Sequence, residues 1–191
     1  MDLVNLGVVI SAEMSADGAD DEITFAKGHY ELECRDSEGN LLWAEGFDNI
    51  VPYSGKNLLA VSGAVAGGTA YLGLISASGY AGAPTINDTI GSHSNWEEAS
   101  STFGPGYGTT RPTLTLAAPV SGVISNTASP ASYTFTTGGT VQGAFAVAGP
   151  GASNVVGNTT GGTLLSAGVL TTPQPVIEGN TVTMTYTLTV S

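Results

Sequence analysis

Between His93 and Arg111 the chain gathers an imidazole, two adjacent carboxylates and a guanidinium: His93, Glu97, Glu98 and Arg111. A glycine-rich loop, FGPGYG, places Phe103 and Tyr107 between them. His93 and Glu97 stand four residues apart and could offer two ligands to one metal ion. A catalytic zinc site needs three protein ligands and an open position. The second histidine, His29, lies far upstream. Glu97 and Glu98 could instead be a glycosidase pair. Two such carboxylates must face each other across a sugar, whereas adjacent residues point apart. SGKN at 54–57 resembles the end of a phosphate loop, but Ile50 and Asn57 stand where that loop needs Gly and Ser/Thr. No GxSxG element occurs. The acidic run DGADDE at 17–22 lacks the ligand spacing of an EF-hand. These residues imply no catalytic set, no metal and no cofactor. The segment reads as a joint, in which Arg111 pairs with Glu97 or Glu98. Phe103 and Tyr107 either face a partner or cover the end of the domain.

Composition narrows the choice. The chain has 191 residues, enough to bury a core. It carries 16 acids against 4 bases, for a net charge of −12. That balance excludes a phosphate-binding nucleic-acid surface, which needs Lys and Arg. Most acids precede Tyr53, and between Glu98 and Glu178 Arg111 is the one charged side chain. A long surface of Thr, Ser, Gly and Asn suits an assembly interface or an outward-facing shell. Cys34 is the single cysteine, so neither an internal disulfide nor a CxxC metal site can form. Leu58–Ile75 is too interrupted by glycine, serine and threonine to read as a membrane span. No basic start followed by an apolar run suggests a secretory signal.

The elements that must position these residues are strands. HYELECR at 29–35 alternates, with Tyr30, Leu32 and Cys34 on one face. DSEGN then turns the chain into LLWAEGF, which predicts a hairpin. A short helix is expected over Asn57–Val65. Ser94 and Glu97 fit a capping box, which predicts one helical turn over SNWEEAS with Trp96 inward. TAYLGLIS, TLTLAA, GVIS, SYTFTT, TVQGAFAVAG, TLLSAGVL and TVTMTYTLTV read as strands between Gly-rich turns. The fold expected is all-β: a jelly-roll-like antiparallel β-sandwich over 29–191, with one or two short helical turns and an N-terminal arm over 1–28. Trp43, Trp96, Phe135, Phe145, Tyr186 and Leu188 are its expected core. In the arm, Leu3, Val4, Leu6, Val8, Val9 and Ile10 form an apolar patch. It could add a strand to a neighbour or belong to its own sheet.

FDNIVPYSGKNLLA, TAYLGLI, INDTIGSHSNWEEAS, TRPTLTL, TVQGAFAV and VTMTYTLTV occur in an order that resembles small virion proteins of tailed bacteriophages, over residues 29–191. The resemblance implies a capsid cement or decoration subunit without enzymatic activity. Its partners would be the major capsid protein and further copies of itself, as a dimer or trimer, with no direct contact to nucleic acid or membrane. It would assemble in the host cytoplasm and reside on the capsid exterior. The alternative is a tail-fibre or receptor-binding module in which Tyr80, Phe103 and Tyr107 stack on host sugars. The partner-binding candidates are the apolar arm residues with Phe103, Tyr107 and Arg111.

Overall fold

The computed structural model describes residues 26–62 and 69–190, and within them the chain is an all-β sandwich of two antiparallel sheets. The first sheet is built on β1 (Ala26–Arg35), β2 (Leu41–Asn49) and β9 (Thr181–Val190), with the short β5 (Val123–Ser125) and β6 (Ala131–Thr134) both pairing β9. The second has the order β4 (Glu97–Glu98), β3 (Tyr71–Ser76), β7 (Gly139–Ala148), β8 (Thr163–Val176). The helix α1 (Tyr53–Ser62) links the sheets and packs on β8. The patch from Leu3 to Ile10 lies outside the described residues. β1 begins at Ala26, inside the stretch read as an arm.

Period-two patterning does what it should. Tyr30, Leu32 and Cys34 are buried, and their register sets Tyr30 opposite Tyr186 and Leu32 opposite Met184. Val182, Met184, Tyr186 and Leu188 form the matching inner face of β9, with threonines between them. Burial pushes the Cys34 thiol up to about 11, with the nearby Asp36 charge adding to the shift. That thiol is a packing group rather than a nucleophile.

β7 is buried on both faces. Ala144, Ala146 and Ala148 join the core between the sheets. Phe145 and Val147 face outward into a second apolar cluster with Ile75, Ile90, Trp96 and Leu164. Residues of the 77–96 excursion therefore cover the outside of the second sheet, so the sandwich carries a third, partial layer.

The edge strand along β9 is split. β5 pairs residues 187–189 and β6 pairs 181–184, which leaves the backbone around Tyr186 without a strand partner on the edge opposite β1. Asn126 fills the gap. Its Oδ1 accepts from the Tyr186 amide at 2.6 Å, and its Nδ2 donates to the Met184 carbonyl at 3.3 Å. A buried side-chain amide thus substitutes for missing ladder bonds.

One side of the sandwich is stitched shut between β2 and β8. Ile50 and Ala167 exchange both backbone hydrogen bonds, at 3.0 and 3.1 Å. Glu45 accepts from the Thr171 amide, and Trp43 donates from Nε1 to the Pro175 carbonyl. Next to this seam α1 presses so close that a Cβ on Gly55 would lie 2.3 Å from the Leu165 carbonyl oxygen.

Four expectations change. Trp43 is only partly buried, because β2 is an edge strand whose indole lies along the seam. The helix starts at Tyr53, just after Pro52, and not at Asn57. TLTLAA is not a strand; Thr113 makes one isolated bridge to Tyr71. SNWEEAS is not a helical turn. Its Glu97–Glu98 backbone pairs with Ser76 and Ile75 as β4. Trp96, Phe135, Phe145, Tyr186 and Leu188 are fully or almost fully buried, as their patterning predicts.

Replacing Asn126 with Ala should cost about 1–3 kcal/mol, since it strands a buried N–H and a buried C=O. The Tyr186 amide should then exchange faster than its neighbours in native-state hydrogen exchange. Unchanged stability and exchange would show that water replaces the splint.

Four core tyrosines, Tyr30, Tyr107, Tyr133 and Tyr186, have their hydroxyls pushed up, chiefly by burial; Tyr186 reaches about 12. A folded-state pKa above the unfolded value of ~10 favours the fold below that pH and loses its contribution above it. Alkaline titration should therefore show the tyrosinate absorbance of these residues rising together with cooperative unfolding. Their ionisation in a still-folded protein would contradict the burial.

Candidate functional site

The segment from His93 to Arg111 folds around two carboxylates, each used differently. Asp88 is the first. It accepts from the Trp96 indole Nε1 at 2.9 Å, from the Thr85 hydroxyl at 2.6 Å and from the Thr85 amide at 3.2 Å. His93 stacks on the Trp96 ring at 3.9 Å with 17° between the planes, and its Nδ1 donates to the Trp96 carbonyl at 3.0 Å. The indole is thus held from its edge, its face and its own backbone. Trp96 also meets Phe145 at 5.3 Å, which pins the 77–96 excursion to the outer face of β7.

Glu98 is the second. Consecutive strand residues point to opposite faces, so Glu97 stays partly exposed while Glu98 turns inward. Arg111 meets it side-on. Nε donates to Oε1 at 2.9 Å and Nη2 to Oε2 at 2.8 Å, with the two side chains 1% and 6% exposed. Tyr107 donates its hydroxyl to the same Oε1 at 2.8 Å, and the Gly157 amide donates to Oε2. Arg111 spends its other bonds on the Ser153 and Asn158 carbonyls, both at 2.9 Å. Its guanidinium carbon lies 5.2 Å from the Phe145 ring centroid. Burying both charges costs several kcal/mol of desolvation per ion, which only a fully satisfied arrangement offsets. Here both carboxylate oxygens and most guanidinium N–H groups are satisfied by protein.

This clasp joins three stretches distant in sequence: β4, the loop carrying Tyr107 and Arg111, and the loop 149–162. Backbone bonds follow the same path, from Arg111 N to Asn154 O and from Val156 N to Thr109 O. The FGPGYG loop is fastened at its other end. Thr136 and Thr137 donate from their amides to the Gly106 carbonyl, and the Thr137 hydroxyl accepts from the Gly106 amide.

Of its two readings, Tyr107 takes the one that covers the end of the domain: it is 8% exposed, its hydroxyl is bound to Glu98, and its ring packs edge-on against Tyr133 at 4.9 Å. Arg111 is equally withdrawn from the surface. Its predicted ion pair exists, and the partner is Glu98 rather than Glu97. Tyr80 packs partly buried against the outer cluster. Phe103 stays partly exposed and lines a pocket of about 350 Å³ together with Glu97 and His93. The two glutamates do not face each other, so they form no hydrolytic pair. Lys56 lies 5.9 Å from the Tyr53 ring centroid. Sequence reasoning missed Asp88, Asn126 and the Ser153–Asn158 carbonyls. Only Asp88 carried a signal, as a lone acid shortly before a tryptophan.

Arg111→Met should destabilise the protein by about 3–5 kcal/mol, because Glu98 is left buried and unpaired. Adding Glu98→Gln should recover part of that loss while keeping an acceptor for Tyr107. Urea unfolding of the two single variants and the double variant measures the coupling. A coupling near zero would mean that water screens the pair.

No protein-family model, no curated protein and no solved structure matches this chain, so its own geometry carries the functional reading.

Proposed function

We propose that this protein is a non-enzymatic structural subunit of a bacteriophage shell, a cement or decoration protein that clamps neighbouring major capsid subunits from outside. The observation that carries this reading is the state of Glu98 and Arg111. The strongest candidates for chemistry in the C-terminal half are saturated by protein and walled in, so they brace a scaffold. Around them lies a surface of threonine, serine and glycine with little charge, suited to contact rather than turnover.

One end of the sandwich supplies an apolar contact. Leu41 and Leu42 at the start of β2 are 54% and 50% exposed, and Ile177 beyond β8 is 66% exposed. Leu42 and Ile177 flank Trp43 and Pro175 around a shallow groove. Asp36, Glu38 and Glu178 sit on the two turns at this same end. An apolar centre with an acidic rim fits a capsid subunit with an apolar patch and basic rim. Clamping needs binding energy alone: a ligand at ~100 times its dissociation constant stabilises its partner by ~2.7 kcal/mol. Many copies sum such contributions over a shell.

Electron microscopy of purified particles should place the chain across the head surface. Particles lacking it should assemble yet burst at lower temperature or under milder osmotic shock. Leu42→Glu should keep the melting temperature and lower occupancy about tenfold or more. Full occupancy by this variant would remove the apolar end from the interface. Chain found only at the tail would overturn the cement reading.

A further inference from the structure

The pocket beside the buried clasp has a composition of its own. Its volume, about 350 Å³, falls within the ~300–1,000 Å³ range of small-ligand sites. Phe103, His93, Glu97, Thr102 and Thr109 line it over a floor that includes Trp96. It shares no residue with the apolar end around Leu42.

Each lining group has a definite capacity. Phe103 presents a partly exposed aromatic face, held by a tight turn in which its own amide and that of Thr102 donate to the Ser100 hydroxyl. The ring also lies against Gly79, where a Cβ would come within 3.3 Å of it. The Glu97 carboxylate has no hydrogen-bond or ion-pair partner among the described residues and can accept a pair of hydroxyl donors. His93, whose Nδ1 proton goes to the Trp96 carbonyl, leaves Nε2 free to hydrogen-bond a ligand hydroxyl. Hydroxyls of Thr102 and Thr109 both donate and accept. The one nearby cation is spent: Arg111 places four N–H groups on Glu98, Ser153 and Asn158. An anionic ligand would find a free carboxylate and no free guanidinium or ammonium group.

We propose that this groove binds a neutral saccharide unit, with an apolar sugar face on Phe103 and adjacent ring hydroxyls shared by Glu97 and His93. An aromatic platform suits the weakly positive C–H face of a pyranose, and the carboxylate suits its vicinal hydroxyls. The loops that carry these groups are pre-set by the Glu98–Arg111 clasp and the Thr136–Thr137 fastening, so binding orders little new chain. The groove holds sugar without cleaving it, since Glu98, the only other carboxylate lining it, is tied to Arg111. This inference is independent of the cement role, because its residues are separate from the apolar end and it can be read on the isolated chain.

The test is binding of the full chain to an array of neutral hexose and N-acetylhexosamine oligosaccharides beside sialylated and sulfated ones. Titration calorimetry with the neutral trisaccharides that score then gives affinities. Neutral glycans should bind and anionic ones should not. Phe103→Ala and the isosteric Glu97→Gln should each weaken binding about tenfold or more, at an unchanged melting temperature for Glu97→Gln. Absence of binding to every neutral glycan, preference for anionic ones, or wild-type affinity in Glu97→Gln and Phe103→Ala would each overturn the assignment.

Discussion

The bidentate pair of Glu98 and Arg111 is the constraint on which the second sheet depends. Two opposite charges sit almost wholly out of water, and they stay there because every near neighbour answers them: the Tyr107 hydroxyl, the Gly157 amide, two carbonyls and the Phe145 face. Such a pair is worth little as net stability, since its attraction mostly offsets desolvation. Its value is in selection among conformations. A loop that failed to deliver Arg111 would leave a naked carboxylate in the core. The energetic gap between the right loop arrangement and any other is therefore wide, even where the depth of the native well is modest.

The same logic orders the rest of the domain from the inside. β7 is flanked by apolar matter on both faces, and the outer matter is supplied by an excursion with no regular structure of its own. Trp96 makes that possible. Its ring fills the space above Phe145 while its N–H meets Asp88, so a single side chain satisfies both apolar packing and a buried carboxylate. The 77–96 excursion is thereby packed as part of the core.

Legibility from sequence followed the range of the forces involved. Alternation in HYELECR and TVTMTYTLTV was readable because one inward face per strand is a local rule, and Tyr30, Leu32, Cys34, Met184 and Tyr186 obey it. The capping-box reading of Ser94 and Glu97 was equally local and failed, because β3 offers the Glu97–Glu98 backbone a ladder and Asp88 offers Trp96 an anchor. Trp43 misleads by type: a tryptophan is expected inside, yet an edge strand gives it only half a wall. The Arg111 pairing was foreseeable from scarcity, since a lone cation among uncharged residues has few partners. Which glutamate it takes was not, because that depends on the parity of β4, and parity is set by tertiary pairing. For Phe103 and Tyr107 the shared loop concealed opposite fates, one lining a groove and one hydrogen-bonded inside.

The seam between β2 and β8 bears on a hazard common to sandwich proteins. An open strand edge is a row of unpaired donors and acceptors, and at high local concentration it recruits the edge of another molecule. Ile50 and Ala167 close that row with their own backbone bonds, and Glu45 spends a carboxylate on the Thr171 amide that a foreign strand would otherwise claim. The seam thereby keeps one flank from templating fibrous growth, and does so with hydrogen bonds already counted in the chain's own folding.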